Sequence, residues 1–162
     1  KKKVTAIGYA GAGITLILMY FMDPSNLTLM IVLHALYGFF CFSFPIPMSM
    51  IPEAINYQED RIGIRTDGLA YAATSLSTKV GNAFGPAMAL MIMGAFGYVA
   101  NAQQSVEAMK GINLATNLVF GICYLLALIP LFLYPLNAEK NAQIQASLDA
   151  KRNARQAGME KE

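Results

Sequence analysis

Apolar positions run along this chain in four long blocks, Val4 to Met22, Leu27 to Ile51, Leu69 to Val99 and Ile112 to Leu133, separated by short polar stretches. No block alternates apolar with polar residues as a membrane β-strand would, and each is long enough for a helix to cross a hydrocarbon core of about 30 Å. The pattern predicts an all-α polytopic membrane protein. Its four transmembrane helices span 4–22, 27–51, 69–99 and 112–133 within a unit covering 1–135, with a cytoplasmic loop over 52–68 and a polar tail over 136–162. Asp23-Pro24-Ser25-Asn26 leaves room only for a tight hairpin between the first two helices. Pro45, Pro47 and Pro52 predict a break or kink at the end of the second. The Ala/Gln/Lys-rich tail reads as a frayed helix.

Composition sharpens this reading. The chain has 162 residues, 56% hydrophobic and only 14% charged, against about 25% charged in an ordinary soluble domain. Of its 22 charges, one, Lys79, lies inside the four blocks. Ten of the remaining basic residues, among them Lys1 to Lys3, Arg61, Arg65, Lys140 and Lys151, fall on one side of the membrane, and Lys110 alone falls on the other. That asymmetry places both termini in the cytoplasm, at the inner membrane of a cell. A net charge of +2, with no basic stripe, gives no nucleic-acid footprint. Cys41 and Cys123 sit within apolar blocks as small packing residues. The opening lysines followed by apolar residues imitate a signal peptide but lack its small-residue cleavage pattern. The absence of an initiator methionine suggests a piece of a longer chain.

The third block carries the chemistry. Tyr71, Ser75, Thr78, Lys79, Asn82 and Pro86 recur at steps of three and four, a polar stripe along one side of a helix. A lysine at mid-membrane costs about 2.5–3.5 kcal/mol on insertion scales, so it lines a wet cavity or meets a carboxylate. No block contains an acid, and the partner is therefore expected from helices outside this chain. The alternative is a helix that starts late, letting the amine reach the interface. Gly81 and Gly85 form a G-x-x-x-G pair beside the stripe, a candidate close helix contact. His34 reads as a hydrogen-bonded packing residue, and Asn113 and Asn117 as amides bonding across helices. One histidine and two separated cysteines make no metal-ligand set, and no nucleophile has an adjacent base, so neither a metal site nor an enzyme is expected.

The stretch Pro52-Glu53-Ala54-Ile55-Asn56-Tyr57, then Gly63-Ile64-Arg65-Thr66-Asp67-Gly68, with Lys79-Val80-Gly81 eleven residues on and Gly97-Tyr98 closing the block, resembles the glycoside-pentoside-hexuronide:cation symporter family of the major facilitator superfamily. Glu53, Tyr57, Gly63, Arg65, Asp67, Gly68 and Lys79 match its pattern in type and spacing, while Asn56 stands where the family usually has a carboxylate. The resemblance implies the last third of a twelve-helix carrier. It implies symport of a sugar or glycoside, no cofactor, and a coupling Na⁺ or H⁺ bound mainly in the missing N-terminal half. It also implies a substrate cavity touched by Lys79, Asn82, Ser75 and Phe44, and a cytoplasmic gate made by Glu53, Tyr57, Arg65 and Asp67. The partners so implied are the lipid bilayer, the missing N-terminal helices and the sugar. A small four-helix membrane scaffold or assembly protein without a substrate is the competing reading.

Overall fold

A computed structural model describes residues 1–159; positions 160–162 of the expected tail lie outside the described residues. The chain is all-α among the described residues: α1 Lys2–Phe21, α2 Leu27–Phe40, α3 Ile51–Ile62, α4 Asp67–Ala95, α5 Val106–Asn113, α6 Phe120–Leu126, α7 Leu128–Leu133 and α8 Ala138–Met159. A π-helical turn, Leu114–Val119, joins α5 to α6, so α5 to α7 form one continuous segment.

The core is built around α1, which packs between α2 and the α5–α7 segment. Leu16, Met19 and Leu33 are buried together, with Met22, Met30, Tyr37 and Tyr124 closing around them. Small residues set the spacing. A Cβ on Gly8 would lie 2.1 Å from Ser43 Oγ, and one on Gly11 would lie 2.4 Å from the Phe40 ring. Gly13 and Gly121 face each other so closely that a Cβ on either would meet the other's carbonyl at 3.0 Å. Close backbone approach of this kind is how helices gain van der Waals contact in lipid, where the hydrophobic effect between helices is absent.

Three segments are long and apolar enough to cross a membrane: Lys2–Phe21, Leu27–Ile62 and Val106–Leu133. The expected third span differs. As α4 it runs over Asp67–Ala95 and is long enough, but its polar stripe keeps it out of that set, and none of its residues is buried by the rest of the chain. Among the described residues, no other part of the chain approaches Gly81 or Gly85 within 4 Å of where a Cβ would sit.

Two polar segments expected as loop and frayed tail are ordered helices. Residues 51–62 form α3, which starts with Pro52 in its first turn, where the missing N–H costs nothing, and ends at Gly63 in the left-handed region (φ 72°). The tail folds as α8 and packs on α3. Leu136, Ile144 and Leu148 are buried as one cluster with Tyr57 and Tyr134 against it, and Asn137 Oδ1 accepts from Lys140 N at 2.8 Å at its start. The expectation of fraying missed this apolar stripe, in which Ile144 and Leu148 lie one turn apart. Between α2 and α3, residues 41–50 tighten into two short 3₁₀ turns, Cys41–Ser43 and Pro47–Met50, where Pro45 and Pro47 interrupt α-helical bonding.

Candidate functional site

Two groups of side chains were expected to carry function, and they occupy different ends of the fold. The cavity group lies on uncovered surface. Lys79, Ser75 and Asn82 are exposed on α4, and among the described residues no ion pair or hydrogen bond reaches the Lys79 ammonium. At about 1.5 Å per residue, Lys79 stands roughly 18 Å from the start of α4, too deep for its stem to reach either end. Phe44 lies in the interrupted stretch before α3 and is 71% exposed. No hydrogen bond among the described residues joins Phe44 or its neighbours to the α4 stripe.

Of the four residues expected at the gate, Arg65 and Asp67 touch each other, whereas Glu53 and Tyr57 make separate contacts along α3. Arg65, just beyond Gly63, turns its guanidinium back onto both flanking helices. Its Nε and Nη2 donate to the two Asp67 carboxylate oxygens at 2.5 and 2.9 Å, and its Nη1 donates to Glu59 at 2.8 Å and Asn56 Oδ1 at 3.2 Å. Asp67, and then Glu59, hold the guanidinium still more firmly protonated than usual. Asn56, which departs from the family's carboxylate, serves as a neutral acceptor here. Glu53 lies at the other end of α3, where Lys1 Nζ donates to it at 2.6 Å and Tyr134 Oη at 3.4 Å. Burial, and then the Glu53 charge, push the Tyr134 hydroxyl up to about 12. Tyr57 has cations on its ring, Arg61 at 5.5 Å and Lys140 at 5.4 Å.

Sequence reasoning missed the tail's part in this network. Glu59 also accepts from Arg152 at 3.2 Å, so one carboxylate is shared between the head of α4 and α8. Asp60 accepts from Lys151 at 2.7 Å and Ser147 at 2.9 Å. The arrangement binds three helices by charge but aligns no nucleophile with a base. No group of three His, Cys, Asp or Glu residues that could hold a metal ion gathers among the described residues.

In the apolar layer, Asn113 Nδ2 donates to Tyr20 O at 3.0 Å and Asn117 Nδ2 to Asn113 Oδ1 at 2.7 Å, tying the π-helical segment to α1. His34 Nδ1 lies 2.8 Å from Met30 O. A shallow, mainly apolar groove of about 310 Å³ separates α1, the interrupted stretch and α7, lined by Tyr9, Pro47, Met50, Pro130 and Tyr134 among others.

Comparison with known proteins gives a consistent picture. The family model described as MFS/sugar transport protein matches residues 1–138. The chain is 33% identical over 137 residues to the uncharacterized symporter YnaJ of Bacillus subtilis, covering 84% of this chain and 30% of that protein. It is 33% identical over 104 residues to a glucuronide carrier protein homolog of Escherichia coli, covering 64% and 23%. It is 30% identical over 148 residues to the putative glycoside/cation symporter YagG of Escherichia coli, covering 89% and 32%. The chain thus spans about a third or less of the length of these relatives. No solved structure matches it.

Proposed function

From the premise that this chain belongs to the MFS/sugar transport protein family, the glycoside-pentoside-hexuronide:cation symporters, and is therefore part of an integral membrane transporter and not an enzyme, we propose that it supplies the last four spans of a carrier. That carrier couples the uptake of a sugar or glycoside to Na⁺ or H⁺ by alternating access. In this reading α4 is the third of the four spans and lies against helices supplied by the rest of the carrier, with both termini and the α3–α8 network in the cytoplasm. The positive-inside charge asymmetry supports that orientation.

The observation that carries the proposal is Lys79. An ammonium group deep in a 29-residue helix, with no partner among the described residues, is tolerable only beside water or a carboxylate. Its natural neighbours are the polar substrate path and an acidic side chain on the opposing half. Ser75 and Asn82 extend the same stripe, and Phe44 offers a ring for a sugar face. The gate acts at the other end. With α3, the head of α4 and α8 joined through Glu59 and Arg65, the cytoplasmic ends of these helices move as one body when the carrier rocks. Substrate affinity and cation affinity are then linked through the two conformations.

The test is Lys79→Leu in the full-length carrier. Accumulation of labelled glycoside in cells is expected to be lost while the protein still inserts in the membrane, and normal uptake by the variant would overturn the cavity role.

A further inference from the structure

Two hollows meet at one edge of the membrane-spanning layer. Lys2 opens the span Lys2–Phe21 and Leu133 closes the span Val106–Leu133. The Lys2 ammonium brings these ends together, donating to Phe132 O at 2.9 Å and Tyr134 O at 2.7 Å. Outward of it, a hollow of about 660 Å³ lies between α1, α3 and α8, with Lys1, Lys2, Lys3 and Glu53 in its walls. Inward lies the apolar groove of about 310 Å³, bounded by Thr5, Tyr9, Pro47, Ala54 and Pro130. Tyr134 is a wall of both.

Charge and depth are sorted along this pair. The outer hollow sets three lysines against one carboxylate, and Glu53 is already held by Lys1 Nζ at 2.6 Å. Lys2 gives two of its three N–H donors to carbonyls and keeps one. No carboxylate pairs with Lys3 among the described residues, which leaves the hollow net positive. On α8, Asn137, Asn141 and Gln145 follow at steps of four and line the same hollow with amides. The groove then descends into the apolar layer: Tyr9 follows Lys2 by two helical turns, about 10 Å deeper at about 1.5 Å per residue.

A positive rim above an apolar slot, with a tyrosine at the boundary, matches a lipid that has a negatively charged head and an acyl chain to lay below it. A zwitterionic lipid would bring its own cation to the lysines, and a free phosphate would not occupy the groove. No residue of α4, the helix turned toward the rest of the carrier in the reading above, lines either hollow.

We propose that these two hollows form a binding site for one anionic phospholipid. Lys2 and Lys3 hold its phosphate, the amides of α8 lie over its head group, and one acyl chain runs down the groove past Tyr134. The site requires that the two spans cross a membrane and does not depend on the sugar reading.

The experiment uses the full-length carrier in phosphatidylcholine nanodiscs doped with phosphatidylglycerol that bears a diazirine in one acyl chain. The same probe with a phosphocholine head is the comparison, and cross-linked peptides are mapped by mass spectrometry after illumination. The glycerol-headed probe is expected to mark peptides covering 47–54 and 127–131 well above the comparison. Unlabelled phosphatidylglycerol should suppress that marking, and inorganic phosphate should not. Each lysine weighs about fivefold in affinity for an anionic lipid. Lys3→Gln, which leaves the Lys2 bonds in place, should therefore raise the probe concentration for half-maximal marking about fivefold, and Lys2→Gln with Lys3→Gln about 25-fold. Ala54→Phe, at an exposed position on the groove wall, should remove the marking at 127–131 with the thermal midpoint kept.

Equal marking by the two probes would show ordinary boundary lipid and overturn the proposal. An unchanged half-maximal concentration in Lys3→Gln would remove the phosphate contact and overturn it too. Suppression by inorganic phosphate would reduce the site to a general anion pocket. No marking at these peptides would mean that another part of the carrier covers the groove, and no lipid site would be left.

Discussion

Docking of α8 on α3 combines a small apolar cluster with several ion pairs, and their relative weights can be worked from the structure. Leu148 is 4% exposed, whereas the Lys151 side chain paired with Asp60 is 59% exposed. Leu148→Ala removes three buried carbons, about 2.4 kcal/mol at about 0.8 kcal/mol per buried CH₂. That figure counts transfer alone, and a cavity left at this buried position adds to it. At about 1.4 kcal/mol per decade, the undocked fraction of α8 should rise by at least roughly 50-fold. Lys151→Met deletes an ion pair that salt screens and side-chain ordering offsets, and should change the equilibrium far less. An undocked helix of 22 residues is only marginally stable in water, so undocking is read directly by amide exchange. In hydrogen-exchange mass spectrometry of the full-length carrier in nanodiscs, peptides from 138–152 should exchange much faster in Leu148→Ala and little faster in Lys151→Met or at high salt. If Lys151→Met or added salt releases the helix as much as Leu148→Ala does, charge holds it and the apolar argument is wrong.

Two further outcomes follow from the geometry. Gly8→Leu places a side chain where Ser43 and the Phe40 carbonyl already sit. It should destabilise by about 1–3 kcal/mol or more, seen as a lower thermal midpoint in detergent, and an unchanged midpoint would refute the close α1 contact. Arg65→Lys keeps the charge but loses the fork that grips Asp67 and Glu59 together. A spin label on exposed Ile64 should become more mobile, and an unaltered line shape would show that the fork does not hold this turn.

How far the sequence led depended on the range of the interaction. The apolar blocks and the stripe around Lys79 were visible because each is a local periodicity. Helix α3 was misread as loop because its charges outweighed Ile51, Ile55 and Ile62, which lie at helical spacing behind a proline placed where a helix can start. The docking of α8 was missed for a similar reason: Ile144 and Leu148 are two apolar residues in a polar tail, and Tyr57, their partner, is some 90 positions away. The π-helical turn at 114–119 has no sequence signal at all; it accompanies the close pairing of Gly121 with Gly13 and the Asn113 bond to Tyr20. Among the gate residues, Arg65 and Asp67 were legible as neighbours, but the sharing of Glu59 with Arg152 was not. The four residues expected to line a cavity, Ser75, Lys79, Asn82 and Phe44, lie on two separate exposed surfaces of the described fold.

The uncovered surface of α4 has an evolutionary consequence. No residue of that helix is constrained by burial within its own third of the carrier, so selection on Ser75, Lys79 and Asn82 comes from whatever they face. In an alignment of complete homologues, these columns should co-vary with positions in distant helices, and lineages that lose the lysine should lose an acidic residue elsewhere in the same change. The columns at Gly8, Gly13 and Gly121 should instead vary only with one another.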